Sequence, residues 1–159
     1  MERAEFDTHE GFVQSLQGLV HTACERRLRR LVLCDTSFEG WPLESTVLLD
    51  SLTTFVRMPG RQVCLFGRSF DALRRTSPRL VAWRRTWAHA VQAARPADPQ
   101  TEVPTLVLAD RALALVVGDR ESWRGVLRLD EPEVVRWALE TDALMQRSTP
   151  DFAAYVLGL

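Results

Sequence analysis

Two polar clusters in this chain follow short apolar runs: Asp35-Thr36-Ser37 after Leu31–Cys34, and Arg68-Ser69 after Gln62–Phe66. Runs of that kind read as buried strands. The carboxyl ends of strands in an open α/β sheet are where ligands approach. If the two strands are neighbours, Asp35 and Arg68 lie close together, as an anion site or as a plain ion pair. Asp110 joins two further apolar runs, and His89 ends a helical pattern. Asp35, Arg68, His89 and Asp110 are therefore the candidate ligand-binding residues. One reading makes them a hydrolase site of unorthodox make-up, of the phosphodiesterase kind. Each also has an ordinary structural role. An Asp suits a strand-connecting turn, Ser69 suits the cap of a helix starting near Phe70, and a helix C-terminus favours the charge of His89.

What is missing narrows the chemistry further. All twenty basic residues are Arg; the chain has no Lys and no Asn. Without Lys there is no phosphate-loop lysine, no Schiff base and no Ser-Lys dyad. No Gly-x-Ser-x-Gly elbow occurs, so a Ser-His-Asp triad has no local signature. No Cys-x-x-Cys or His-x-x-x-His occurs, and His9 and His21 lack ligand spacing, so neither a metal nor another cofactor is expected. Cys24, Cys34 and Cys64 are odd in number and far apart, as reduced buried thiols are.

Charge is unevenly spread. Residues 57–95 hold nine Arg against one acid, Asp71, for a net +8 in a chain whose total is −1. An Arg fork suits phosphate and carboxylate. A helix over 78–89 that turns Arg79, Arg84 and Arg85 outward would meet an anion or nucleic acid. The same arginines could instead be neutralised by the acidic ends of the chain. Trp83 and Trp87 stand four apart on one helical face, which suits a core or interface first and a base-stacking platform second.

The elements that must position these residues centre on Val103–Gly118. Its runs Thr105–Ala109 and Ala112–Val117 do not alternate apolar with polar. Strands covered on both faces have that pattern. Helices are expected over 7–30, with an Asp7/Glu10 capping box, and over 44–57, 70–77 and 78–89. A last helix follows an Asp130/Glu133 box and runs to about Arg147. Val91–Ala94 reads as an edge strand and Gly125–Leu129 as another strand. The order predicts an α/β fold, a mixed, mostly parallel sheet between two helical layers. Residues 1–159 read as a single domain, with 148–159 a tail docked on the body or on a partner. The apolar tail and the five Trp suggest a homodimer. No apolar run reaches the ~18–20 residues of a membrane span, and the charged N-terminus lacks a signal-peptide core. The cytoplasm is the expected location.

This layout resembles one half of the phospholipase D superfamily, over about residues 10–147, and proteobacterial proteins of the same layout that have no assigned activity. The family carries a His-x-Lys pair on a core strand and an Asp five positions after the Lys. Laying Asp110 on that Asp puts Val103 at the His position and Thr105 at the Lys position, with Gly118 near the family's Gly-Ser and Trp137 in its closing helix. The resemblance implies a sandwich of a sheet between helices. Val103 cannot serve as a nucleophile and Thr105 carries no charge, so it also implies a relative without phosphodiesterase activity that acts by binding or assembly.

Overall fold

Burial on both faces of the central strands organises the structure. The computed structural model describes residues 1–154. Along the chain lie β1 (Ala4–Phe6), α1 (His9–Glu25), β2 (Arg30–Asp35), α2 (Thr46–Arg57) and β3 (Gln62–Gly67). Next come α3 (Asp71–Thr76), α4 (Pro78–Thr86), β4 (Val91–Pro96), β5 (Thr105–Ala109) and β6 (Leu113–Asp119). The chain continues with β7 (Arg124–Leu129), α5 (Pro132–Met145) and β8 (Ser148–Pro150). In β2, Leu31 and Leu33 enter a large core with α1, α2, α3 and α4, while Val32 and Cys34 enter a smaller one with Val134 and Ala138 of α5. Successive strand residues point to opposite faces, and here both faces are apolar. That is why the sequence does not alternate.

The expected mostly parallel sheet is not what forms. The order is β1-β7-β6-β5-β2-β3-β4-β8. Among the described residues only β2–β3 and β3–β4 are parallel; the other five pairings are antiparallel. The connections explain the correction. A parallel partner needs a crossover of a dozen or more residues, usually a helix. Between neighbouring strands only α2 and the α3–α4 pair provide one, since α1 and α5 join strands that do not pair. Residues 97–104 carry no helix, so β5 re-enters from the edge where β4 ends and runs back beside β2. The short joints at Asp110-Arg111 and Arg120–Trp123 then make β5, β6 and β7 a meander. The expected edge strand, β4, lies inside, because β8 pairs with its outer side.

Helix starts also differ from the reading of the sequence. Thr8, not Asp7, caps α1, and its hydroxyl accepts from Gly11 N at 3.0 Å. The Asp130/Glu133 box does not form. Asp130 sits at φ 53° and takes Arg26 through both oxygens at 2.9 Å, and Glu131 is the cap without a side-chain bond. Trp83 is buried and donates Nε1–H to Thr53 Oγ1 at 3.0 Å, so the tryptophan face of α4 belongs to the core. No described helix is long and apolar enough to cross a membrane.

Candidate functional site

At the carboxyl edge of the sheet, β2 ends on Asp35, which is 1% exposed. An ionised carboxylate that deep needs a cation and donors for its lone pairs. Asp35 Oδ1 accepts from Thr105 Oγ1 at 2.5 Å and Arg120 Nε at 3.3 Å. Its Oδ2 accepts from Phe38 N at 2.9 Å, Trp41 Nε1 at 3.1 Å and Arg120 Nη2 at 3.1 Å. The guanidinium of Arg120 also donates to Glu39 O and lies over the Trp123 ring, 3.9 Å from its centroid. His9, at the start of α1, donates Nε2–H to Gly40 O at 2.5 Å and stands edge-on to Trp123, 5.0 Å between ring centroids. The loop after β2 is thus tied from three sides.

Local backbone fits this packing. Phe38 takes φ 62°, a region costly for a bulky residue, and is held by its N–H on Asp35 and by near-complete burial. Gly40 takes φ 78°, and a Cβ there would come within 2.7 Å of the Trp123 ring. A Cβ on Gly67, the β3 neighbour of Asp35, would meet the Phe38 ring at 2.8 Å. Outside the knot, Asp35, Thr36, Ser37, Glu39, Arg120 and Trp123 line a cleft of about 360 Å³.

The four candidate ligand residues do not converge. Arg68 is at this edge, with its N–H on Thr36 O at 3.0 Å, but its guanidinium donates to Thr101 O at 2.5 Å rather than to Asp35. Asp110 is at the other end of β2, where it accepts from Arg29 N at 3.0 Å and Arg30 N at 2.9 Å. Five strand residues separate the ends, about 16 Å at ~3.3 Å per residue. His89 precedes β4 at that far edge, beside Trp87. Of the three arginines considered for anions, Arg79 holds Glu44 through its N–H at 2.9 Å and its guanidinium at 3.7 Å. Arg84 is buried and donates to Phe152 O at 3.3 Å; burial pushes its pKa down. Arg85 donates to Ala154 O at 3.3 Å.

Sequence reasoning missed Arg120 and Trp41 as partners of Asp35, and Trp123 as the ring that holds Arg120. For Arg120 and Trp123 the only signal was an arginine and a tryptophan in the turn after β6, which nothing local ties to a residue 85 positions earlier, whereas Trp41 stands only six positions after Asp35. Chemically, Asp35 has no free lone pair to act as a base, since five donors hold it. Val103, at the position the resemblance gives to a nucleophile, is buried carbon. The imidazole at this edge, His9, is committed to Gly40 O. Among the described residues no group of three or more His, Cys, Asp or Glu could hold a metal ion.

No protein-family model matches the chain, and no curated protein sequence matches it. Solved structures do. TrmBL2, an archaeal chromatin protein described with a novel mode of DNA binding, superposes with a TM-score of 0.66 at 10% identity, over 95% of this chain and 54% of its own. Phosphatidylserine synthase of Haemophilus influenzae Rd KW20 gives 0.56 at 13% identity, over 96% of this chain and 40% of its own. Nuc, a phospholipase D family member from Salmonella typhimurium, gives 0.50 at 9%, over 85% and 90%. At such identities the likeness is one of fold. The chain thus has an α/β architecture like that of phospholipase D-type structures. It spans about half the length of the first of these chains and less of the second.

Proposed function

We propose that this chain is a phospholipase D-like domain without phosphodiesterase activity, one that works in the cytoplasm by binding or assembly. One observation carries the reading. At the carboxyl edge, the positions the resemblance assigns to His and Lys hold Val103 and Thr105, and Thr105 spends its hydroxyl on a carboxylate already neutralised by Arg120. Fold likeness to a phospholipase D family member supports the comparison of positions. An anionic ligand, in this reading, meets the third of Arg120 that reaches solvent. Kinetics with a chromogenic phosphodiester test it. The purified chain gives no turnover above buffer, and turnover that disappears in His9→Ala or His89→Ala contradicts the reading.

A second reading, nucleic-acid contact through residues 57–95, is favoured by their net +8 and by the likeness to a chromatin protein. It weakens where Arg79 and Arg84 are engaged within the fold. Titration with single-stranded oligonucleotides separates the two. Three phosphate contacts lose roughly 20–40-fold in affinity between about 50 and 200 mM salt, whereas the leading reading gives no binding tighter than micromolar.

A further inference from the structure

Four of the nine arginines in residues 57–95 are engaged by one short segment, Asp151–Ala154. The Asp151 carboxylate lies 3.3 Å from Arg74 and 3.8 Å from Arg95. Phe152 O accepts from Arg84 Nε and Ala154 O from Arg85 Nε, both at 3.3 Å. The Phe152 ring stacks on Phe70, 5.2 Å between centroids and 4° from parallel, and the Arg74 guanidinium stands 5.4 Å from its centroid. Acid and ring thus fill a slot with guanidinium walls and an aromatic floor. One nucleotide presents the same chemistry: a phosphate for the arginine forks and a flat base for the ring beneath.

The segment fits this slot incompletely. Arg84 is 9% exposed, and among the described residues its Nη1 is buried without a hydrogen-bond partner. A buried cation short of acceptors is costly. A single carbonyl satisfies one nitrogen of that guanidinium, whereas a phosphate brings oxygens for two. The segment is also lightly anchored. It follows β8, three exposed residues at the edge of the sheet. Phe152 is the single buried residue of Ser148–Ala154, and it takes φ 48°, a region costly for a bulky residue.

We propose that Asp151–Phe152 is a self-ligand, and that the slot of Phe70, Arg74, Arg84 and Arg95 takes a nucleotide of a single-stranded nucleic acid when the segment leaves. Phe70 is fully buried while Phe152 covers it, so the resting chain keeps its stacking floor closed. The site rests on the nucleic-acid reading of residues 57–95. It also accounts for the engagement of Arg84 within the fold, because what holds that arginine stands in for the ligand.

Fluorescence anisotropy with labelled oligothymidylate at about 50 mM salt, where phosphate contacts are strong, tests the proposal on variants shown to be folded by circular dichroism. Asp151→Asn/Phe152→Ala empties the slot and binds at least about tenfold tighter than the parent, within the worth of one stacked base. Adding Arg74→Ala removes the gain, and so does an abasic strand of equal length, which has the phosphates but no ring for Phe70. Glu140→Gln on α5, across the sheet, makes the same change in net charge and leaves the affinity at the parent value. A double variant that binds no tighter than the parent overturns the proposal. So does a gain that survives Arg74→Ala, that the abasic strand shares, or that Glu140→Gln reproduces. If parent and double variant bind equally well, the basic segment stands as a nucleic-acid surface and the self-ligand alone fails; if neither binds, both fail. If the double variant does not fold, Asp151→Asn alone decides. It frees Arg95 and removes one acid from Arg74 with the ring in place, and it tightens binding about threefold, the worth of an exposed ion pair; an unchanged affinity overturns the proposal.

Discussion

Five donors converge on Asp35, and each side chain among them has a defined cost of removal. Thr105→Val keeps the shape and deletes one bond to an ionised group, which is worth about 1.5–3 kcal/mol. The expected outcome is an unfolding free energy in urea lowered by that amount, with the fold intact by circular dichroism. The thiols behave differently. Burial raises the pKa of Cys34, which is fully enclosed, and that of Cys24. The folded state therefore holds these protons to higher pH than the unfolded chain does. Stability contributed by the neutral thiols is complete below the ordinary thiol value of 9.0 and declines as pH rises above it. Unfolding scans from pH 7 to 10 check the sign. A stability that rises across that range contradicts it.

Single elements show what a reader of the sequence can and cannot see. The strands β2, β3, β5 and β6 were legible because burial on both faces leaves a run without alternation. Their relative directions were not, because direction depends on which edge the chain re-enters after residues 97–104. Asp35 was legible as a polar residue ending an apolar run, whereas Arg120 was not, because turn residues with no periodicity carry no record of what they meet. Asp110 was legible as a turn residue, and the structure adds its use. It takes φ 50° and its carboxylate caps the N–H groups that open β2. Asp110→Asn keeps an acceptor and tolerates that backbone, so it loses less than Asp110→Ala, for which a cap-like cost of about 1 kcal/mol is expected. Equal losses in thermal denaturation contradict the capping role. Gly40→Ala places a methyl group against Trp123 at a positive φ and costs about 1–3 kcal/mol by strain.

Over the whole molecule, stability is highest where strands have partners on both sides and helices on both faces. Amide exchange is accordingly expected to be slowest in β2, β3, β5 and β6 and fastest in the three-residue edge strands β1 and β8. The knot around Asp35 joins the halves of this sheet, since it ties the end of β2 to the start of β5 and to the turn between β6 and β7. The account holds that this edge serves the fold rather than a reaction. Sites kept for a reaction carry strain that their removal relieves, so replacing their polar residues often stabilises a protein. Structural knots show the reverse. A double-mutant cycle of Asp35→Asn and Arg120→Met in urea unfolding distinguishes the two. With water reaching a third of the Arg120 side chain, the account predicts that both single variants are destabilised and that they couple by about 1–2 kcal/mol. An Asp35→Asn variant as stable as the parent, or more stable, would contradict it.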